Sequence, residues 1–190
     1  MHDVRIHGRG GQGAVMASGI LATALVEEGR EVMAIPAFGF ERRGAPVVAF
    51  VRYDDKPIRR ITNIYTPEIV VVIDPTVARS VDVFAGTPVG TTLVQATAKG
   101  FDELLLPGHL GKVAVCNAVR IALDIFKRPI TNTIMLGAFA KATGAVTVQS
   151  LAKALEQAHF RDAGLRQNIE AMERGFAETV VIELNREAAA

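Results

Sequence analysis

Gly8, Gly10 and Gly13 stand at G-x-G-x-x-G spacing, with Arg9 and Gln12 set among them. A turn of this kind lets backbone N–H groups approach a ligand closely, and a helix that starts at its end offers unpaired N–H groups to an anion. An alternating apolar stretch precedes the turn and an apolar helical pattern follows it, which is the context in which the spacing has meaning. A dinucleotide site needs one further group, a carboxylate at the end of the next strand about 20 residues on, to hold a ribose. The sequence there runs Val32-Met33-Ala34-Ile35-Pro36-Ala37, and Glu31 stands at the wrong end of that strand. Three readings stay open on these residues: a phosphate or subunit-contact loop, a tight strand–helix turn without a ligand, and a stand-alone nucleotide-binding module.

A second polar set, Glu41, Arg42 and Arg43, follows the second strand. Loops that follow strands one and two of a parallel sheet leave the same edge, where such sheets bind ligands. The candidate cofactor-binding set is therefore Gly8, Arg9, Gly10, Gly11, Gln12, Gly13, Glu41, Arg42 and Arg43. The guanidinium fork suits a phosphate or a carboxylate across an interface; the alternative is that Glu41 pairs with an arginine and braces its own loop.

No catalytic residue and no metal ligand set is assigned. His2, His7, His109 and His159 are scattered, without H-E-x-x-H or C-x-x-C spacing. His7 adjoins the glycine turn, within reach of a ligand or packed in the core. Cys116 lies at an apolar strand–helix junction and reads as an inert buried thiol. Asp74 ends a strand before Pro75, in a position to cap the following turn or to act chemically.

These groups have to be positioned by a chain of 190 residues, enough to close one core, with no linker and with residues from about 186 expected to fray. The net charge of +1 and few aromatics give no footprint for nucleic acid. A single cysteine excludes an internal disulfide or a self-contained iron–sulfur site. The opening Met-His-Asp-Val lacks the features of a signal peptide, and no uncharged apolar run is long enough to span a bilayer. The expected setting is cytoplasmic.

Periodicity places strands at 4–6, 32–35, 47–52, 69–73, 91–94 and 112–116, the last taken as the final internal strand. Helices are expected at 14–28, 117–126, 133–143, 151–158 and 165–180. The first of these carries Ala14, Ala17, Ser18 and Ala22 and should lie close to a sheet or a partner. The helix at 133–143 is apolar nearly all round, as befits one buried between layers. Ser150 is a plausible N-cap for the fourth, and residues 57–61 are expected to form a β-hairpin with 47–52. The alternation gives an α/β fold: a doubly wound, mostly parallel, Rossmann-like sheet with a small antiparallel addition.

Beyond the glycine turn, Phe38-Gly39, Glu41-Arg42-Arg43-Gly44-Ala45-Pro46, Lys56-Pro57-Ile58, the strand end from Val70 to Pro75, Asn132 with Met135-Leu136-Gly137-Ala138, and Asn168 followed by Gly175-Phe176 occur in one order along the chain. With these motifs the sequence resembles the gamma subunit of the 2-oxoacid:ferredoxin oxidoreductases, most nearly the separate-subunit pyruvate and branched-chain type. The resemblance implies conversion of a 2-oxoacid, coenzyme A and oxidised ferredoxin to acyl-coenzyme A, carbon dioxide and reduced ferredoxin, in a complex with alpha, beta and delta-type subunits. It also implies that thiamine diphosphate, magnesium and [4Fe-4S] clusters are held by those other chains, while this one shapes subunit interfaces and lines the coenzyme A approach. Pyruvate is the expected acid; phenylglyoxylate and branched-chain 2-oxoacids are the alternatives.

Overall fold

The computed structural model describes residues 1–36, 44–158 and 164–184. Seven strands form one sheet in the order β2-β3-β1-β4-β5-β6-β7: β1 His2–Arg9, β2 Glu31–Pro36, β3 Pro46–Asp54, β4 Ile69–Val72, β5 Thr91–Ala96, β6 Leu110–Cys116 and β7 Val180–Glu183. The centre, β1-β4-β5-β6, is parallel, and β3 and β7 run against it. This is the expected α/β class, with a sheet mostly parallel in direction. β4 is four buried β-branched residues, the composition of a strand covered on both faces.

Alternation along the strands divides the core. Val4, Ile6, Val71, Val94 and Ala114 face the described α-helices: α1 Ala14–Glu27, α2 Ala118–Phe126, α3 Asn132–Thr143, α4 Val148–Gln157 and α5 Leu165–Glu178. Val70, Val72, Leu93 and Val113 face the other way, under Val77, Val83, Phe84 and Phe101, so short 3-10 turns and loops cover that side. α1 turns Ala14, Ala17, Ile20, Leu21, Ala24 and Leu25 inward, and its small residues serve the chain's own core. α3 is buried along nearly its whole length, touching the sheet on one side and α5 on the other.

Three expectations need correction. The antiparallel addition is β3 itself, which pairs with β1 and with β2, while residues 57–61 form no strand. The carbonyls of Arg60 and Thr62 accept from the Arg52 side chain, at 2.6 and 3.2 Å, where a strand partner would otherwise donate. The fifth helix ends at Glu178, and residues 180–183 pair with β6 as an edge strand that leaves Val180 exposed. The fourth helix is capped by Thr147, whose hydroxyl accepts from Ser150 N–H at 3.1 Å; Ser150 instead donates its hydroxyl to Glu28 at 2.6 Å. Bonds from Ser150 and Thr147 hold the Glu28 carboxyl below its ordinary range and tie the end of α1 to the start of α4.

Candidate functional site

The glycine turn leaves β1 at the carboxyl edge of the parallel strands. Gly10 N–H donates to Ala45 O at 2.8 Å and Gly44 N–H to Gly10 O at 3.1 Å, so the β1–β3 ladder continues past its last register pair, Arg9 with Pro46. The segment entering β3 is therefore laced to the glycine turn. Glu41, Arg42 and Arg43 lie outside the described residues, as do Phe38, Gly39 and His159.

Within the turn the side chains serve one another. Gln12 Oε1 accepts from Arg9 N–H at 2.7 Å, while its amide nitrogen donates to Asp74 at 2.5 Å. Arg9 reaches Thr76 Oγ1 and Thr76 O, each at 2.9 Å, Gly44 O at 3.0 Å and Ser80 Oγ at 3.4 Å, with Asp74 at 3.7 Å. Arg9 thus bridges three segments: its own turn, the entry to β3 and the 3-10 turn after β4. Asp74 caps that last turn by accepting from Thr76 N–H at 2.8 Å. Burial alone would raise the Asp74 carboxyl, but bonds from Gln12 and Thr76, with Arg9 beside it, hold it below the usual carboxylate range.

The backbone donors are what this bracing leaves over. Gly11 and Gly13 take positive φ, 91° and 81°, and Gly13 begins α1 with no side-chain cap and no acidic residue in the first turn. Gly11 and Gly13 N–H have no acceptor among the described residues. With the first-turn N–H groups of α1, they form an electropositive, uncapped helix start suited to an anion. A side chain at Gly13 would place its Cβ 2.4 Å from Asn132 Nδ2, so α3 is pressed against the same corner. Asn132 Oδ1 is buried there without a partner.

His7 is turned away from this corner. It projects from β1 onto the face that carries no α-helix among the described residues, 4% exposed, with neither ring nitrogen hydrogen-bonded. Burial, reinforced by the Arg5 charge and opposed by Asp82, pushes its imidazole down to about 4. The unfolded chain takes up this proton near the ordinary value of about 6.5, so stability is lost as pH falls from there towards 4. The full loss amounts to about 3 kcal/mol for a shift of this size. Urea titrations of wild type and His7→Leu across that window should diverge, wild type weakening more steeply in acid; parallel profiles would show that His7 carries no such shift.

Cys116 is buried in the helix-side core, where burial pushes its thiol up, as expected of an inert cysteine. His109 Nε2 lies 2.8 Å from Thr87 Oγ1 and plays a loop-packing part. Among the described residues no group of three His, Cys, Asp or Glu side chains could hold a metal ion, and no helix is long and apolar enough to cross a membrane.

The buried polar row on β1 was nearly hidden at the level of sequence. Asp3, Arg5 and His7 alternate with Val4 and Ile6, a pattern that ordinarily puts polar groups in water. Instead Arg52, 1% exposed, clasps Asp3 through two nitrogens at 2.6 and 3.0 Å, and Arg5 donates to Val83 O and Ala85 O at 2.9 and 2.8 Å. The available signal was Arg52, which interrupts the apolar run of β3 from Val47 to Tyr53.

Residues 3–178 match the family described as Pyruvate ferredoxin/flavodoxin oxidoreductase. The chain belongs to this family. Among curated relatives of the oxidoreductase family, it is 60% identical over 190 residues to the NADH-dependent phenylglyoxylate dehydrogenase subunit gamma of Aromatoleum evansii, covering 100% of both chains. It is 50% identical over 186 residues to the pyruvate/ketoisovalerate oxidoreductases common subunit gamma of Thermococcus kodakarensis, covering 97% of this chain and 100% of the other. Among solved structures, the pyruvate oxidoreductase subunit of Thermotoga maritima superposes with a TM-score of 0.82 at 37% identity, covering 96% of this chain and 98% of that one.

Proposed function

We propose that this chain is the gamma subunit of a 2-oxoacid oxidoreductase complex, which converts a 2-oxoacid and coenzyme A to acyl-coenzyme A and carbon dioxide and passes the electrons to ferredoxin or an equivalent acceptor. The observation that carries this reading is likeness over essentially the whole length of gamma chains, at 60% and 50% identity. Alpha, beta and delta-type subunits are the proposed partners, and the cytoplasm the proposed setting.

The chain's own donor set does not fit an iron–sulfur cluster, since its one cysteine is buried in the helix-side core. Clusters are therefore assigned to the partner chains, thiamine diphosphate and magnesium are proposed to sit there as well, and no chemical step is routed through residues here. What this chain offers is a braced corner: Arg9, Gln12 and Asp74 hold the glycine turn rigid, and the open N–H groups of Gly11, Gly13 and the first turn of α1 suit a phosphate of coenzyme A. Arg42 and Arg43, with Glu41, are proposed to complete that approach.

Pyruvate is the acid to which the relatives of the pyruvate synthase type point. A second reading, an aryl 2-oxoacid with NAD as acceptor, is favoured by the 60% identity to the phenylglyoxylate dehydrogenase gamma chain. A relative that is a common gamma subunit of pyruvate and ketoisovalerate oxidoreductases supports the view that the gamma chain does not select the acid.

Arg9→Ala in the assembled complex tests the corner. Arg9 bridges three segments on internal acceptors, so its loss should loosen the turn and raise KM for coenzyme A about 10-fold or more, with KM for the 2-oxoacid unchanged. Unchanged KM for coenzyme A in an intact complex would remove the glycine turn from the coenzyme path.

A further inference from the structure

On the face of the sheet that carries no α-helix among the described residues lies a segment, residues 56–65, with an unusual composition for an irregular loop. It holds Lys56, Arg59 and Arg60 and no carboxylate, in a chain whose overall charge is only +1. All three cations are exposed, and none has an ion-pair partner among the described residues. Beyond them, Ile61 is 81% and Tyr65 73% exposed.

The loop is nevertheless held firmly. Arg52, clasped by Asp3 beneath it, donates to the carbonyls of Arg60 and Thr62, so a buried ion pair fixes the main chain from which Arg59, Arg60 and Ile61 project. Beside it opens a cleft of about 790 Å³, floored by Arg5, His7 and Phe50 and walled by Ile64, Tyr65 and Asp82. Arg5 and His7 are both more than nine-tenths buried, and Arg5 Nε and both His7 ring nitrogens lack partners.

We infer that this loop and cleft form a docking surface for an acidic segment, bearing an apolar or aromatic anchor, on another subunit of the complex. The inference rests on the subunit reading proposed above. Arginine, tyrosine and isoleucine side chains preset on a rigid backbone make a low-entropy contact with a charged rim and an apolar centre. The partner's carboxylates meet Arg59 and Arg60, and its apolar side chain seats against Ile61 and Tyr65 at the mouth of the cleft. Asp82 on the far wall keeps the acidic contacts on the arginine side. A second copy of this chain is a poor occupant, because a two-fold contact would set three cations against three.

The test uses the co-expressed complex. Wild type is purified first with its alpha, beta and delta-type subunits; failure to assemble would defeat the subunit reading, and this inference falls with it. Given assembly, the double variant Arg59→Glu, Arg60→Glu should weaken retention of the chain at least 10-fold, while the isolated variant keeps the wild-type melting temperature because both side chains are exposed. A photo-crosslinking p-benzoylphenylalanine in place of Tyr65 should join to an acidic segment of another subunit. Assembly of the double variant as tight as wild type, or crosslinks only within the chain, to a second copy or to a basic surface, would overturn the inference.

Discussion

Gly137→Ala and Gly175→Ala should each cost about 3 kcal/mol of stability or more, the upper end of what overpacking does. α3 and α5 cross at these two glycines. A Cβ on Gly137 would lie 1.9 Å from Met172 O and 2.7 Å from Phe176 N, and one on Gly175 would lie 2.0 Å from Ile134 O. Each neighbour is backbone, so no side chain can swing aside, and the helices would have to separate. α3 also packs on the sheet through Ile134, Ala138 and Phe139, which spreads the disturbance through the whole helix-side core. Chemical denaturation of the two variants checks this. Stability within about 1 kcal/mol of wild type, against the usual range for overpacked sites, would mean that the helices are not in such close contact.

Breaking the Asp3–Arg52 pair should be of similar consequence. Both groups are nearly or wholly removed from water, and the remaining Arg52 donors go to Arg60 O and Thr62 O. Truncating one partner leaves a buried charge uncompensated, a loss of about 3–5 kcal/mol for a pair of this kind. Arg52→Ala should therefore destabilise strongly and release the 60–62 carbonyls as well. The double variant Asp3→Leu, Arg52→Met, which removes both charges and keeps the volume, should recover a large part of the loss. Additive effects in that cycle would show that the two residues do not act as a pair.

These two sites illustrate what a single sequence shows and what it conceals. Gly137 and Gly175 belong to the motifs by which the chain resembles its family, yet their reason, a close helix crossing, requires knowing which helices meet. The all-round apolar pattern of α3 was legible because burial on every side leaves no polar stripe. The glycine turn and the turn-capping position of Asp74 were legible because turn chemistry is local. The fate of Asp3, Arg5 and His7 was not. Alternation tells which residues share a face of a strand, but the loops that cover that face come from residues 60–65 and 81–86, far along the chain. The edge strand β7 was hidden for a related reason: Val180 continues the helical stripe of α5, and only the unpaired edge of β6 draws residues 180–183 into the sheet. Ser150 missed its expected capping role because Thr147, three residues earlier, was equally able to cap and the Glu28 carboxylate was waiting for the serine.

Reconstitution tests most directly the proposal that this chain works only as one subunit among several. Coenzyme A-dependent reduction of an electron acceptor by pyruvate, phenylglyoxylate and 2-oxoisovalerate should be measured for the chain alone, for the co-expressed alpha, beta and delta-type subunits alone, and for the full set. Turnover is expected from the full set, little from the partners without this chain, and none from the chain alone, which should also contain no iron and bind NADH, FAD or ATP no better than in the millimolar range. Turnover or stoichiometric iron in the isolated chain, or micromolar binding of any of those nucleotides to it, would contradict the account.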